Sequence, residues 1–297
     1  MSADGQPPLL TIAMPVLNGG AALRVALASL LAQTFNDWEL LLIDDGSTDG
    51  AIAGLGSDLD TRIRIIADGD NHGLATRLNQ AIGMARGRYF ARMDHDDVAH
   101  PERLEQQMSY LKANPGTDLL GTKCLALSED NRILGQFPFR STHASICARP
   151  WLGFYLAHPS WMGRTAWFRK HGYADPAPFR CEDQELLLRA HAESNYHCLD
   201  SVLMAYRLRD SVRLKTILRT RLALARVQLD YFGGRRDCVS VTAAVGATLL
   251  RMGKDILLPA SSGVRSEVAG SIGAEQSLWW HNWLGRVSQA AGQEAGR

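Results

Sequence analysis

The stretch Tyr89–Asp97 reads YFARMDHDD, and the rest of the chain is best understood from it. Its first residues are apolar or aromatic, a pattern typical of a strand that enters a core. It then ends in three carboxylates within four residues. Carboxylates this close repel one another unless a cation neutralises them. Asp94 and Asp96 therefore predict a Mg²⁺ or Mn²⁺ site at the end of a strand, with a solvated acidic turn that caps the next helix as the alternative.

Apolar runs alternate with helical patterns before this stretch. We predict strands at Leu9–Met14, Trp38–Ile43 and Arg62–Ala67, and helices at Ala21–Gln33 and Gly73–Ala85. Pro15 has no N–H to donate to a neighbouring strand, so it is expected to end the first strand. Alternation of strands with helices predicts βαβ units and a mostly parallel sheet flanked by helices, which is an α/β fold.

Polar clusters follow several of these strands directly. Asp44 and Asp45 come after the second strand, Asp94 and Asp96 come after the fourth, and the loop Pro15–Asn18 follows the first. Ligands of such sheets bind outside the carboxyl ends of the strands, so these groups are expected on one shared rim. No dinucleotide-binding fingerprint is present, because the glycines after residue 49 lack the required order and do not directly follow a strand.

The middle of the chain continues the mixed pattern. We predict helices at Pro101–Asn114 and Leu186–Ala192, and strands at Thr117–Leu127, Arg132–Phe139 and Tyr196–Tyr206. Glu182 and Asp183 open the second of these helices, and the helix dipole alone is a sufficient reason for acidic residues there. His158, Trp161 and Tyr173 lie in a loop-rich region between them, where exposed aromatic side chains are suited to gripping a sugar. Ordinary core packing is the alternative for each of the three.

The chain changes character after about Asp210. Basic residues alternate with apolar ones over residues 213–236, a basic amphipathic helix pattern. Val239–Leu250 is apolar but shorter than the ~20 residues that cross a bilayer. Trp279, Trp280 and Trp283 follow, and tryptophan favours membrane interfaces. This tail predicts docking on the anionic inner leaflet, with a helical bundle packed on the sheet as the alternative.

Composition limits the possible functions. Of the 297 residues, 46% are hydrophobic and 21% charged, which is ordinary for a globular protein. A net charge of +1 gives no global argument for nucleic acid, so we expect no nucleic-acid partner. The five cysteines are dispersed without a C-x-x-C pair, which argues against disulfides and structural zinc. Residues 1–8 lack a signal-peptide pattern, so we expect a cytoplasmic protein, peripheral on the inner face of the plasma membrane if the tail docks.

Short motifs follow one another along the chain. They are Met14–Asn18, Ile43–Asp49, Asn71–Ala75, Leu78–Asn79, Ala91–Asp97, Pro101–Glu105, His158–Ser160, Gly172–Tyr173 and Glu182–Asp183. Taken together, they resemble the motifs of the family 2 glycosyltransferases, which have the GT-A fold. The resemblance covers about residues 9–210. It implies a GT-A domain over residues 1–210, with a nucleotide-sugar half (9–97) and an acceptor half (98–210). A helical C-terminal extension, associated with the membrane if the tail docks, would occupy residues 211–297.

The resemblance also implies a reaction. Such enzymes move a sugar from a nucleotide-diphosphate sugar, most often a UDP sugar, to a hydroxyl group with inversion at the anomeric carbon. A divalent cation (Mn²⁺ or Mg²⁺) on Asp94 and Asp96 would neutralise the leaving diphosphate. Asp183 matches the family's general base, and Glu182 would orient Asp183 or the acceptor. The implied contacts of the nucleotide sugar are Pro15, Asn18, Asp44, Asp45, Asn71, Asp94 and Arg209, and those of the acceptor are His158, Trp161 and Tyr173.

One position departs from the family pattern. Tyr206 and Arg207 match, but Arg209 stands where the family often carries a histidine that ligates the metal. A charged arginine cannot ligate a metal. Either the metal has fewer protein ligands, or Arg209 pairs with the diphosphate. The implied acceptor is a glycan or a lipid-linked sugar in bacterial surface-polysaccharide synthesis.

Three other functions compete with this one. A phosphotransferase could use Asp94 as a nucleophile, but that arrangement usually follows the first strand, and here three strands precede it. A nucleotidyltransferase shares a similar sheet but would place a basic, Gly-rich loop at residues 15–20, which contain no Lys or Arg. A membrane scaffold that binds a nucleotide sugar without turnover would not need both metal-type carboxylates and a candidate base.

Overall fold

The computed structural model describes residues 6–56, 59–209, 212–257, 268, 270 and 272–295. The strands are β1 (Leu10–Val16), β2 (Trp38–Asp44), β3 (Ile63–Ala67), β4 (Tyr89–Arg92), β5 (Val98–Ala99), β6 (Leu119–Leu127), β7 (Ile133–Gln136), β8 (Met162–Arg164) and β9 (Tyr196–Arg207). The helices are α1 (Gly20–Leu31), α2 (Leu74–Met84), α3 (Arg103–Ala113), α4 (His143–Ile146), α5 (Thr165–His171), α6 (Glu182–Ala190), α7 (Leu214–Gly234), α8 (Cys238–Leu257) and α9 (Ala274–Ala295).

Within the described residues these strands form one nine-stranded sheet in the order β3-β2-β1-β4-β8-β6-β9-β5, with β7 on β6. The first four strands are parallel, as predicted. Strand β8 then runs antiparallel between β4 and β6, and it joins the predicted nucleotide half to the rest of the sheet. The predicted strands Thr117–Leu127 and Arg132–Phe139 are present as β6 and β7, which pair antiparallel. The sheet is therefore continuous across the expected boundary near residue 97, whereas the boundary at 210/211 lies outside the described residues.

Apolar side chains cover both faces of the sheet. Leu10, Ile12 and Met14 of β1 pack with α1 and α3 on one face, and Ala13 packs with α2, α5 and α6 on the other. Parallel strands that are buried on both faces carry nearly continuous apolar runs, which is why β1 and β2 were recognisable in the sequence.

Strand β1 does not end at Pro15, so that expectation is wrong. The strand continues to Val16, whose carbonyl accepts a hydrogen bond from the Asp45 N–H at 2.7 Å. On its other side β1 pairs with β4 only as far as Ala13, opposite Arg92. The Pro15 nitrogen faces the β4 side of β1, beyond the end of β4. Its missing N–H therefore removes no hydrogen bond between strands.

The C-terminal tryptophans pack on the sheet domain. Trp280 and Trp283 of α9 are buried against β5 and α1, and the Trp283 indole donates to the Ala99 carbonyl at 2.9 Å. Trp279 stacks on His100 with ring centroids 4.2 Å apart. The expectation that these rings dock on a membrane is therefore wrong for Trp280 and Trp283, because they are already buried. None of the helices in the described ranges combines the length and the apolar content that crossing a bilayer requires.

Candidate active site

A cavity of about 430 Å³ opens at the carboxyl ends of β1, β2 and β4. Six of the residues predicted for the site line it, and they are Pro15, Asp45, Asn71, Asp94, Asp96 and Arg209. They come from five separate segments of the chain, and the topology of the sheet brings them to one rim. The shared rim inferred from the strand order is thus present, and it is concave.

Asn18 and Asp44 shape the loops beside this cavity. The Asn18 side-chain oxygen accepts from the Thr48 N–H at 2.8 Å, and the Asn18 N–H donates to the Ser47 hydroxyl at 3.0 Å. The Asp44 carboxylate accepts from the Ser47 N–H at 2.9 Å. Asn18 has a φ of 54°, a conformation that asparagine tolerates better than most residues. These bonds fix the loop after β1 against the loop after β2.

Asp45 is buried, and protein donors occupy its carboxylate. It accepts from the N–H groups of His72 and Gly73 at 2.7 and 3.0 Å and from the Arg77 guanidinium at 2.9 Å. The side chain of Asn71 donates to the Asp45 backbone carbonyl at 3.0 Å. Asp45 therefore positions the loop that carries Asn71, and it does so from the wall of the cavity.

Asp94 and Asp96 form the acidic end of the cavity, and the buried Asp97 follows them in the chain. The guanidinium of the buried Arg92 contacts the Asp94 carboxylate. Burial and the neighbouring Asp94 charge raise the pKa of Asp96. Asp97 is fully buried and accepts from the Arg207 N–H at 2.8 Å, whereas its second oxygen has no partner among the described residues. Burial and the charges of Asp94 and Asp96 raise its pKa well above the usual range.

This donor set fits a divalent cation. The raised pKa of Asp96 reflects its burial first and the neighbouring Asp94 charge second, and a cation between Asp94 and Asp96 would stabilise both charged carboxylates. Carboxylate oxygens are the ligands that Mg²⁺ and Mn²⁺ prefer. Asp94 and Asp96 both line the cavity, so waters and phosphate oxygens can complete the shell there.

A second acidic group lies on the surface nearby. Ligand atoms of Asp68, Asp70 and His72 lie within 4.8 Å of one another, and all three residues are exposed. Asp68, however, is bound by two nitrogens of Arg77, at 2.6 and 2.7 Å. That ion pair lowers the pKa of Asp68 and already neutralises its charge, so this group is the weaker candidate for a metal site.

Glu182 and Asp183 lie in the first turn of α6, near the acidic end of the cavity. Burial and the neighbouring Asp183 charge raise the pKa of Glu182 to about 7, and Arg92 and Asp94 lie near enough to influence it. Burial also raises the pKa of Asp183. The Gln184 side chain holds Asp183 with a hydrogen bond of 3.1 Å. A carboxylate whose pKa approaches neutrality is suited to accept a proton from a substrate.

His158, Trp161 and Tyr173 are buried, so the expectation of exposed aromatics is wrong for them. The Tyr173 hydroxyl lies 2.7 Å from His158 Nε2, and Asn79 bonds the Tyr173 backbone on both sides. Burial lowers the pKa of His158 well below its usual value, so its ring is neutral. His158 and Tyr173 lie close to Arg92, and Tyr173 also lies close to the α6 carboxylates. A direct contact between these side chains and an acceptor stays a prediction.

Sequence reasoning gave no role to three arginines at this site. Arg92 contacts Asp94 and lies near enough to Glu182 and Asp183 to influence the pKa of both, and a charged residue inside an apolar strand was the available signal. Arg207 donates to the carbonyls of Asp96, Ser128 and Glu129 and so fixes the acidic loop. Arg180 lines the cavity in a left-handed conformation with a φ of 53°, and no pattern in its loop predicted that.

Comparison with known proteins identifies the family. The model of glycosyl transferase family 2 matches residues 11–172, more than half of the chain. The chain belongs to glycosyl transferase family 2, a family of sugar-transferring enzymes. This result confirms the resemblance noted in the sequence and decides against the phosphotransferase and nucleotidyltransferase alternatives.

Two relatives illustrate the match. The chain is 32% identical over 195 residues to EpsE of Bacillus subtilis, which covers 63% of this chain and 68% of EpsE. It is 36% identical over 131 residues to the bifunctional glycosyltransferase pgtA of Dictyostelium discoideum, which covers 38% of this chain but 17% of pgtA. The chain thus spans a small part of one relative and about two thirds of the other.

Solved structures share the fold. TarS 1–349 of S. aureus, solved in complex with UDP, superposes with a TM-score of 0.58 at 17% identity, over 96% of this chain and 82% of that one. The mannosyltransferase PcManGT from Pyrobaculum calidifontis, solved with GDP-Man and Mn²⁺, gives a TM-score of 0.56 at 15% identity, over 98% and 87%. The GT-A fold expected from the sequence is confirmed.

Proposed function

We propose that this protein transfers a sugar from a nucleotide-diphosphate sugar to an acceptor hydroxyl with inversion at the anomeric carbon. One observation carries the proposal. Asp94 and Asp96 line the cavity, and the buried Arg92 contacts Asp94 and lies near enough to Glu182 and Asp183 to influence the pKa of both. The pair Asp94 and Asp96 is suited to binding a metal and a diphosphate. The pair Glu182 and Asp183 is suited to accepting a proton.

The α6 pair would accept the proton of the acceptor. Asp183 is held by Gln184, and Glu182 shares the buried negative charge, so one proton taken from the acceptor oxygen would be stabilised there. The acceptor oxygen would then form its bond to the anomeric carbon while the bond to the diphosphate breaks. Arg92 balances the charge between the two carboxylate pairs throughout. Attack from the side opposite the diphosphate inverts the anomeric centre.

Cationic groups would bind the diphosphate. A divalent cation, Mn²⁺ or Mg²⁺, held by Asp94 and Asp96 would supply Lewis-acid stabilisation of the leaving group. Arg180 and Arg209 line the cavity, and neither makes a hydrogen bond or ion pair with any residue in the described ranges. Two unpaired guanidinium groups beside a cavity favour a bidentate ligand such as a phosphate.

The donor and acceptor classes follow by similarity. TarS was solved with UDP and UDP-GlcNAc and PcManGT with GDP-Man, so a UDP or GDP sugar is the donor class to test first. We favour a UDP sugar. The acceptor is a hydroxyl of a glycan or of a lipid-linked sugar, which fits a role in bacterial surface-polysaccharide synthesis.

Calorimetric titration of UDP with and without Mn²⁺ tests the nucleotide and metal sites. We expect Mn²⁺ to strengthen UDP binding, and Asp96→Asn to remove that gain. Asp70→Asn is the matched control, because Asp70 belongs to the second acidic group. A loss of the gain in Asp70→Asn but not in Asp96→Asn would move the metal site to that group and contradict the proposal.

Arg180→Gln tests the diphosphate contact. We expect UDP affinity to fall by about tenfold, as for the loss of one charge-assisted hydrogen bond. Arg149→Gln changes an exposed arginine away from the cavity and should leave the affinity unchanged. Equal affinities for the two variants would remove Arg180 from the site.

Turnover separates a transferase from a scaffold. Screening nucleotide sugars for donor hydrolysis identifies the donor, and proton NMR of the first product reports the anomeric configuration. Asp183→Asn should lose turnover while it keeps UDP affinity. Donor binding by the wild type without hydrolysis or transfer would instead favour the scaffold.

A further inference from the structure

Helix α8 turns an apolar face away from the protein. Its outer face, which we define as Val239, Val245, Leu249, Leu250, Ile256 and Leu257, consists of exposed apolar side chains. Leu250 and Leu257 are 78% and 83% exposed, so they contribute most to the unfavourable free energy of exposing this face to water. An apolar stripe along a whole helix marks an interaction surface rather than a scatter of single residues.

Almost no charge interrupts this face. Helix α8 contains only Arg251, Lys254 and Asp255 as charged residues. Arg251 donates to the Leu152 carbonyl at 2.9 Å, and Asp255 pairs with Arg221 of α7 at 3.0 Å. Lys254 is therefore the exposed charge that remains on the helix.

The neighbouring helix supplies positive charge. Helix α7 packs against α8, and its exposed residues include Lys215, Arg219 and Arg226, spaced at four and seven residues so that they share one face. Arg235 and Arg236 follow its end and are also exposed. The exposed acidic residue of α7 is Asp230, which lies 3.9 Å from Arg226. The helix pair thus carries a local excess of cations in a chain whose net charge is +1.

The helix pair adjoins the candidate active site. Val212, two residues before α7, lines the cavity, and Arg219 of α7 lies 3.9 Å over the Phe179 ring, next to the cavity residue Arg180. The ion pair of Arg221 with Asp255 places the last turns of α8 against the first half of α7. The C-terminal end of the α8 outer face therefore lies closer to the cavity than its N-terminal end does.

We propose that the α8 outer face binds the surface of an anionic lipid bilayer, with the α7 cations contacting lipid headgroups. An amphipathic helix with an apolar face and adjacent basic residues lies in the headgroup region without spanning the membrane. Each Lys or Arg near an anionic surface adds favourable electrostatic attraction. The inference concerns where the protein binds, and it does not depend on the reaction proposed above.

Charge favours a bilayer over a second copy of the chain. A symmetric dimer through this face would place the same patch against itself. The α8 outer face contains no acidic residue, so a second copy of it would offer the α7 cations no opposite charge. An anionic surface instead complements both the apolar face and its basic neighbour. The buried Trp280 and Trp283 take no part in this contact.

Vesicle co-sedimentation of the full chain tests the proposal. The probes are vesicles of phosphatidylcholine alone and vesicles that also contain phosphatidylglycerol. We expect binding to the anionic vesicles that weakens as salt increases. The double change Leu249→Ser with Leu250→Ser should weaken it by about tenfold or more, because two side chains no longer gain from burial. Leu134→Ser, at an exposed leucine on β7 away from the α8 outer face, is the control and should bind as the wild type does.

The basic residues are tested separately. Lys215→Gln with Arg226→Gln should weaken binding to anionic vesicles and flatten its salt dependence, while the control Arg149→Gln should change neither. Unfolding midpoints of all variants should match the wild type, since the changed side chains are exposed. The proposal is overturned if the wild type does not bind anionic vesicles at low salt, or if the leucine variant binds as tightly as the wild type. It is also overturned if light scattering shows a dimer that the leucine variant dissociates while vesicles bind neither protein.

Discussion

Neutralising Glu182 should stabilise the protein at alkaline pH. Burial and the neighbouring Asp183 raise the pKa of Glu182 from 4.5 to about 7. A change of this size corresponds to roughly 3 kcal/mol against the charged form in the folded state. Glu182 is partly exposed, and screening by solvent reduces this value, so we expect Glu182→Gln to raise the free energy of unfolding by about 1–2 kcal/mol at pH 8.

The pH dependence gives the sign of this effect. Below pH 4.5 the carboxyl group is protonated in both the folded and the unfolded states, so it costs nothing. Between pH 4.5 and about 7 the unfolded state loses the proton and the folded state keeps it, so the wild type loses stability as the pH rises. Above pH 7 the cost is complete. The advantage of the variant should therefore be near zero at pH 4.5 and full at pH 8.

Urea denaturation at both pH values measures the two free energies of unfolding. Glu185→Gln is the matched control, because Glu185 lies in the same turn of α6 and pairs with Arg189 at 2.7 Å. Its loss should lower stability by up to about 1 kcal/mol at pH 8. If Glu182→Gln were as stable as the wild type at pH 8, or less stable, the buried charge inferred at this site would be refuted. Transfer activity should fall in the stabilised variant, as expected for a site that carries strain for its function.

Three further outcomes are expected. The value of kcat/KM should rise with pH through an apparent pKa near 7 that belongs to the Glu182–Asp183 pair, and a profile flat between pH 5 and 8 would exclude this pair as the base. Asp45→Asn should lower the free energy of unfolding by about 2 kcal/mol, because the buried Arg77 keeps its ion pair with the exposed Asp68 but loses its buried carboxylate partner, and a loss below about 1 kcal/mol in urea denaturation would contradict this. Trp283→Phe should cost about 1–3 kcal/mol in the same assay, since the Ala99 carbonyl loses its buried donor, and an unchanged midpoint would show that α9 adds little to stability.

Local patterns explain what was predictable. Strands β1, β2 and β4 carry runs of apolar residues that end in polar clusters, and that order is visible along the chain without knowledge of any contact. The rule that parallel strands place their carboxyl ends together then predicted that Asp45 and Asp94 lie on one rim. The candidate base Asp183 followed from the family resemblance, and its role stays a prediction.

Burial was not predictable at several positions. Tyr173 and Trp161 lie in a segment whose composition is typical of a loop with exposed aromatic side chains, yet both are buried. Tyr173 is held by a hydrogen bond from Asn79, which lies 94 residues away in the sequence. Trp283 likewise packs on a strand that lies 184 residues away. A tryptophan at the surface and one in a core have the same local sequence signal, because both are apolar side chains with one donor.

The order of strands and helices, the acidic motif after β4 and the rim on which the polar clusters meet could all be read from the chain, because these depend on the spacing of residues near one another. The paired charges, the carboxyl groups with a raised pKa and the exposed apolar faces became known only from the folded structure. Asp45 and Glu182 are both acidic residues near the same cleft, yet one is neutralised by Arg77 and the other is crowded by Asp183. That difference arises from distances between segments remote in the sequence, where burial and partner charges set the free energy of each ionised group.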